Sequence, residues 1–203
     1  MTTRISIPTK LGRRAVLGGA LATLFMRPAF ALTTSQAKSL IDTVVAQING
    51  VINSGKSESA MIADFERIFA KYADVNFISF KTLGPPARSA TKAQMSAYSK
   101  AFQGYLARKY GKRFREFIGG SIEVHKARKV KSFFEVKTTT TLRGMAPFNV
   151  SYFVSDKSGR DLFFDMRIEG VSLVNSEKEE IGAMLEKRRG NLDKLIADLR
   201  KAG

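Results

Sequence analysis

Few side chains in this sequence are of the types that catalyse reactions or hold metal ions. The 203 residues include no Cys and a single His, His125, which excludes disulfides, thiolate metal sites and a Cys nucleophile. His125 follows Ile122 and Val124 in an alternating segment, so we predict that it lies on the outer face of a strand. A surface histidine is the simpler interpretation, and a base or metal ligand is the alternative.

The most suggestive pair of acids is Asp165 and Glu169, four residues apart in a segment with strand-like alternation. Side chains at this spacing share one face of a strand but lie about 13 Å apart at ~3.3 Å per residue. That separation is too large for a two-carboxylate hydrolase site. With Arg167 between the two acids, we expect a solvated, salt-bridged face. Because the sequence also has no phosphate-binding loop, we predict no enzyme, no metal site and no cofactor.

The chain is instead rich in phenylalanine, with 15 Phe against 5 Tyr and no Trp. These rings fall on the predicted inward faces of both helices and strands. Two interpretations stay open, an ordinary packed core or a cavity that holds a long apolar ligand. Thr138 and Thr140 share one strand face, where they are either β-sheet formers or hydroxyl groups at the mouth of such a cavity.

The segment 162–173 is the strand around which we expect the rest of the fold to be built. Its apolar members at even positions are Leu162, Phe164, Met166 and Ile168. They alternate with a second set, Phe163 followed by charged residues, which predicts a half-buried strand that Gly170 ends. Three more strands are predicted at residues 121–128, 131–142 and 148–154. Short turns between them indicate a four-stranded antiparallel sheet.

Amphipathic helices are predicted before the first strand and after the last strand of this sheet. Their predicted positions are residues 33–53, then from Ser57, from Asp74, from 91 to about 117, from Ser176, and 191–201. The third segment could instead be a strand. One face of the sheet is apolar and must be covered, so about six helices covering a sheet give an α+β fold. We predict one domain, residues 32–203, with a helical part at 33–118, the sheet at 120–173 and C-terminal helices at 174–201.

Residues 1–31 have the pattern of an export signal rather than of a folded element. Arg13-Arg14 precede an apolar run of about 12 residues, and Ala29-Phe30-Ala31 is a small-x-small cleavage pattern. The paired arginines resemble the twin-arginine signal. We therefore expect export and cleavage after about Ala31, by the twin-arginine or the general secretion route. An uncleaved N-terminal anchor is the alternative.

The chain is strongly basic, with a formal net charge of +16. The predicted leader holds five of the 34 basic residues and no acid, so the other 29 basic and 18 acidic residues still leave +11. Nucleic acid, anionic lipid head groups and an acidic protein surface are all suitable partners for such a charge.

A specific resemblance lies in residues 165–174, which read Asp-Met-Arg-Ile-Glu-Gly-Val-Ser-Leu-Val. This run resembles the Asp-x-x-x-Glu-Gly-Val/Ile-Ser-Leu-Val signature of the toluene-tolerance/MlaC family. Looser matches are found at residues 102–110 and 191–197, and the resemblance extends over residues 36–201. The chain departs from the family at Leu162-Phe163, where a Trp is common.

The resemblance implies a twisted antiparallel sheet wrapped by helices, with an apolar cavity between them that takes phospholipid acyl chains. Such a protein is a periplasmic lipid carrier of an Mla-type ABC transport system. Its partners are an inner-membrane transporter with a lipid-binding ring and an outer-membrane lipoprotein complex. The alternatives are another lipid, such as a hopanoid or sterol, or a basic exported domain that binds nucleic acid or anions.

Our hypothesis is that acyl chains contact apolar side chains from both halves of the domain. The predicted lipid-binding residues are Phe65, Phe69, Phe77, Phe102, Phe134, Val136, Val150, Tyr152, Phe164, Met166 and Ile168.

Overall fold

Six α-helices form in the computed structural model, which describes residues 31–203 apart from the side chains of residues 114 and 115. The helices are α1 (Thr34–Ile52), α2 (Glu58–Tyr72), α3 (Val75–Leu83), α4 (Lys92–Gly111), α5 (Leu173–Lys187) and α6 (Leu192–Leu199). Short 3-10 helices follow α3 and α4, at Pro85–Arg88 and Lys112–Phe117. The paired arginines and the apolar run of the predicted leader lie outside the described residues.

Helices α1 and α4 begin at reciprocal caps that the sequence supplies. The Thr33 hydroxyl accepts a hydrogen bond from the backbone N–H of Gln36, whose side chain accepts one from the backbone N–H of Thr33. Thr91 and Gln94 form the same arrangement at α4. Each capping box satisfies two N–H groups that a helix start leaves without an intrahelical partner. The Thr91-x-x-Gln94 spacing in the sequence is typical of such a box and marks the start of α4.

Other helix boundaries decide between a helix and a strand in the third segment, or correct the predicted ends of helices. Asp74 accepts a hydrogen bond from the Phe77 N–H and caps α3, so this segment is a helix and not a strand. Helix α4 ends at Gly111, before the predicted 117, and the chain tightens into a 3-10 helix. The predicted start of α5 at Ser176 is wrong, because Ser172 caps the helix and α5 begins at Leu173.

In the part of the chain that the structure describes, the sheet has five antiparallel strands in the order of the sequence. They are β1 (Ser121–Val130), β2 (Phe133–Thr141), β3 (Phe148–Ser155), β4 (Leu162–Ile168) and β5 (Val171–Ser172). The prediction of four strands is wrong by one. The chain turns back at Glu169 and Gly170, whose φ angles are 47° and 83°, and two residues then pair with Arg167 and Ile168.

Strand β4 contains a bulge that changes which of its side chains face the helices. Val154 of β3 pairs with Phe163, whereas the adjacent Phe153 pairs with Asp165, so Phe164 is the extra residue. A bulge of this kind breaks the simple alternation of faces. Phe163 therefore shares the face of Val154 and Tyr152, which corrects the predicted assignment of Phe163 to the outer side.

The helices cover one face of the sheet, which confirms the α+β class. Helix α1 lies across β1, β2 and β3, while α2 packs on α4, α3 on α5 and α4 on α6. The largest cluster of buried side chains joins Ile41, Tyr98 and Phe102 from the helices to Val136 and Val154 from the sheet. Full burial of one such side chain contributes roughly 1.5–3 kcal/mol. Within residues 31–203, no helix combines the length and apolar character needed to cross a bilayer.

Candidate functional site

A small, mostly apolar cavity lies between helices α2, α3 and α4, strand β4 and the start of α5. Its apolar wall is formed mainly by six side chains: Phe69, Ile78, Phe102, Leu106, Phe163 and Met166. Asp165, Leu173, Val174 and Glu177 complete the lining. The cavity volume is about 10 Å³, which is roughly the space of one water molecule. A hydrocarbon chain can therefore occupy this place only if the surrounding elements move apart.

The predicted lipid-binding residues fall into several environments. Phe69, Phe102 and Met166 line the cavity. Phe134, Val136, Val150 and Tyr152 are buried in the same core cluster as Phe69 and Phe102. Phe65 packs in a smaller cluster with Ile52 and Met61. Phe77 and Phe164 contact each other and do not line the cavity. Ile168 is 38% exposed at the end of β4.

Phe163 is a cavity residue that the sequence pattern placed on the wrong face. Its ring makes edge contacts with Phe69 and with Tyr152, and the ring centroids are 5.9 Å apart in both pairs. Such aromatic pairs contribute about 0.5–1.5 kcal/mol beyond the burial of their area. The run Leu162-Phe163-Phe164 contained a usable signal, because three consecutive apolar residues do not fit a strict alternation.

Phe164 belongs to an aromatic cluster on the opposite face of the sheet. Its ring centroid is 5.5 Å from those of Phe77 and Phe133, and 6.3 Å from that of Phe153. The Arg167 guanidinium lies over Phe153, 4.7 Å from the ring centroid. Arg167 is thus engaged with an aromatic ring, and the predicted salt-bridged face with Asp165 and Glu169 does not form around it.

A buried acid, Glu177, forms part of the cavity wall on α5. Its side chain is only 1% exposed, and its Oε1 accepts hydrogen bonds from the Lys109 ammonium at 2.7 Å and the Tyr110 hydroxyl at 2.5 Å. Lys109 also donates to Glu180 at 2.5 Å, as does the Tyr105 hydroxyl. We call these five residues the α4–α5 polar network, since it joins the two helices beside the cavity.

The α4–α5 polar network fixes the protonation of its donors. Burial disfavours the charged form of Lys109, but hydrogen bonds to Glu177 and Glu180 outweigh this effect and raise the pKa of Lys109. Burial, reinforced by the two glutamates, raises the pKa of Tyr105 and Tyr110 well above the usual range of a phenol. At neutral pH Lys109 is therefore charged, and both tyrosines are neutral hydrogen-bond donors.

A larger and more polar groove, with a volume of about 520 Å³, runs along α1 and α2. Lys56, Arg67 and Lys71 give it basic character. Asp64 in the same groove pairs with Lys56 at 2.7 Å and also with Arg67. Because these two cations share one carboxylate, the groove provides a weaker attraction for anions than its count of basic residues suggests.

Asp165 and His125 both have structural partners. Asp165 accepts hydrogen bonds from the Ser172 hydroxyl at 2.8 Å and the Val174 N–H at 3.2 Å, and so holds the start of α5. His125 shares a hydrogen bond of 2.8 Å with Thr139, and its side chain is 39% exposed. Among residues 31–203, no group of three or more His, Cys, Asp or Glu side chains is placed to hold a metal ion.

Comparison with known proteins gives a match to a family model and a solved structure of similar fold. The family model described as MlaC protein matches residues 38–201. The fold is similar to that of a phospholipid-binding protein from Ralstonia solanacearum, whose structure was solved in complex with a phospholipid. The TM-score is 0.70 at 19% sequence identity, covering 81% of this chain and 95% of that one. At this level of identity the likeness concerns the fold.

Proposed function

The chain belongs to the MlaC protein family, and from this membership we propose that it is a periplasmic carrier that binds phospholipid acyl chains between its sheet and its helices. The observation that carries the proposal is the family match over residues 38–201. The Ralstonia solanacearum protein of similar fold, which binds a phospholipid, supports it. The carrier would bind and release lipid without changing it chemically.

Acyl chains would enter beside the existing cavity, between helices α2 and α4 and strand β4. Phe69 and Phe102 stand on the helical side of this place, and Phe163 and Met166 on the strand side. Because the cavity measures only about 10 Å³, binding must separate these walls. A chain of about 16 carbons gains roughly 13 kcal/mol over water at ~0.8 kcal/mol per CH₂. That gain is large enough to offset the loss of several core contacts.

The proposed partners are those of an Mla-type system, an inner-membrane ABC transporter with a lipid-binding ring and an outer-membrane lipoprotein complex. Residues 32–203 carry a formal charge of +11, which suits docking on acidic partner surfaces or on lipid phosphates. Such docking weakens as salt screens it. Co-purification with each membrane complex at low and high salt tests this part of the proposal.

The central experiment compares the lipid bound to two aspartate variants of the purified protein. Met166→Asp places a charge in the cavity wall, whereas Val171→Asp changes an apolar residue that is 63% exposed on the neighbouring strand. Lipid would be extracted with organic solvent and identified by mass spectrometry. We expect phospholipid with the unaltered protein and with Val171→Asp, and little with Met166→Asp.

The same extraction separates the competing functions. Recovery of a hopanoid or sterol in place of phospholipid would support a lipid carrier with a different ligand. Absence of any lipid from the unaltered protein, or equal lipid in a folded Met166→Asp protein, would count against binding at this place.

A further inference from the structure

Helix α3 turns an apolar face to solvent. It buries Ile78 and Leu83, while Phe77, Phe80 and Lys81 lie together on the opposite side, three and four residues apart. Phe77 is 38% exposed and Phe80 is 42% exposed. The solvent side of a helix normally carries polar and charged residues, and here it carries two phenyl rings and a lysine. The sequence of α3 contains no acid.

The apolar surface continues from α3 onto the outer face of the sheet. The ring centroid of Phe164 is 5.5 Å from those of Phe77 and Phe133, and Phe153 closes the cluster at 5.7 Å from Phe133. Phe133 and Phe164 are half-buried. We name Phe77, Phe80, Phe133 and Phe164 the outer aromatic patch. Contiguous exposed apolar side chains of this kind mark interaction sites.

Three exposed cations border the outer aromatic patch. Lys81 and Arg167 lie over rings of the cluster, with their charged groups 5.4 Å and 4.7 Å from the ring centroids. Lys178 lies beside the end of α3, where its Cε is 3.6 Å from the position that a Cβ would take on Gly84. The patch therefore combines apolar rings with positive charge.

Two acids near the patch are already engaged within the domain. Glu135, on the same face of the sheet, is 7% exposed and accepts hydrogen bonds from Arg128 and Ser151. Asp74 caps α3 and accepts a hydrogen bond from the Ser158 hydroxyl. The patch thus offers its rings and cations to a partner. An anionic lipid surface has the complementary chemistry, since apolar rings settle between head groups and acyl chains while lysine and arginine contact phosphates.

The outer aromatic patch lies on the reverse side of two cavity walls. On α3, Phe77 belongs to the patch and the next residue, Ile78, lines the cavity. On β4, Phe164 belongs to the patch and the preceding Phe163 lines the cavity. A partner seated on the patch therefore touches the elements that must move apart for a hydrocarbon chain to enter. This position favours a bilayer, the source of such chains, over a protein surface.

We infer that the outer aromatic patch docks the domain on the surface of a bilayer that contains anionic phospholipid. The rings of Phe77 and Phe80 enter the head-group region, and the three bordering cations contact lipid phosphates. The inference goes beyond the proposed function, because docking does not require that the domain carries lipid. The formal charge of +11 on residues 32–203 attracts the domain to such a bilayer in any orientation, so the test has to report which face makes contact.

The chain contains no Trp, so one introduced tryptophan reports on a single position. Phe80→Trp places it in the patch. Met145→Trp is the matched control, because Met145 is 52% exposed and follows the end of β2 that lies away from Phe133. Emission is recorded with vesicles of phosphatidylglycerol and phosphatidylcholine in equal amounts, and with vesicles of phosphatidylcholine alone. With the anionic vesicles we expect a blue shift, and quenching by brominated acyl chains, for Phe80→Trp and not for Met145→Trp.

Vesicle flotation at about 0.15 M salt, where charges outside the contact are largely screened, measures the contribution of single side chains. Phe80→Ser and Lys81→Gln should each weaken binding about fivefold, because they remove the exposed part of one ring and one lysine charge at the membrane surface. Met145→Ser and Lys187→Gln make the same changes at exposed positions outside the patch. These two controls should change binding less than about twofold.

The outcomes separate this inference from the proposed function. It is overturned if Phe80→Trp shows no shift on anionic vesicles, or if Met145→Trp shifts equally. A protein that floats with the vesicles without such a shift is held by its overall charge, and the patch then remains for a protein partner. Lipid extracted from a purified protein that does not dock refutes the docking and keeps the carrier. Docking by a protein that yields no lipid does the reverse.

Discussion

The substitution Lys109→Met isolates the electrostatic role of the α4–α5 polar network. The Lys109 ammonium lies over the rings of Tyr105 and Tyr110, 5.4 Å from each ring centroid. Methionine keeps most of the length and apolar surface of the lysine side chain. It removes the ammonium that balances Glu177, which is 1% exposed. The substitution therefore leaves a buried carboxylate whose remaining donor is the neutral hydroxyl of Tyr110.

The size of the effect follows from the burial of the two partners. Removing one member of a fully buried ion pair costs about 3–5 kcal/mol. Lys109 is 28% exposed, so solvent compensates part of that loss and we expect about 2–3 kcal/mol. For a domain of this size that corresponds to a fall in Tm of about 5–10 °C. The measurement is thermal and urea unfolding of the purified variant against the unaltered protein.

Lys38→Met is the control for removing a lysine charge as such. Lys38 pairs with Asp42 at 2.9 Å on the exposed surface of α1, and such pairs contribute only about 0.3–0.5 kcal/mol. The double variant Lys109→Met/Glu177→Gln should be more stable than Lys109→Met alone, because it no longer buries an unbalanced charge. The reasoning is refuted if Lys109→Met lowers Tm no more than Lys38→Met does, or if Glu177→Gln gives no recovery.

Four further substitutions have expected outcomes. Gly120→Ala should destabilise the protein by about 1–3 kcal/mol in urea unfolding, because the added Cβ would lie 2.6 Å from the carbonyl oxygen of Thr141. Gly182→Ala should instead stabilise α5 by about 0.5–1 kcal/mol, because its Cβ would have no atom within 4 Å. Burial tends to raise the pKa of Glu135, but hydrogen bonds from Arg128 and Ser151 outweigh this effect and lower the pKa overall. The stability that ionised Glu135 contributes is therefore present above about pH 4.3, the pKa of an unfolded glutamate. It is lost as the pH falls through the lower pKa of the folded state. Urea midpoints of Glu135→Gln should therefore fall less steeply on acidification than those of the unaltered protein, and parallel curves would contradict this. Tyr98→Phe removes the buried hydrogen bond of 2.9 Å to Thr82 and should cost about 1 kcal/mol by the same assay, whereas an unchanged midpoint would show that this bond adds nothing net.

Sequence patterns predicted those parts of the fold that local interactions determine. The capping box at Thr91 and Gln94 involves residues three apart, so its motif is visible in the sequence. The alternation in β2 and β3 was also sufficient, because both strands lie inside the sheet and keep a regular register with each other. Val136 and Tyr152 accordingly lie in the buried core.

The candidate site depends on interactions between distant parts of the chain, which explains why its prediction was incomplete. The bulge at Phe164 arises from the register between β4 and β3, and a single strand pattern does not contain that register. The burial of Glu177 depends on Tyr110, which is 67 residues away. In the sequence Glu177 stands close to Glu179 and Glu180, and nothing in this charged run distinguishes the acid that becomes buried.

The narrowness of the space between helices and sheet has a thermodynamic consequence for a carrier of this kind. With about 10 Å³ available, taking up a hydrocarbon chain exchanges contacts within the protein for contacts with the guest. Much of the apolar surface that the guest covers is therefore already hidden from water before it arrives. Calorimetry of loading should accordingly record a heat-capacity decrease smaller than transfer of the same chain from water into a preformed, hydrated chamber would give.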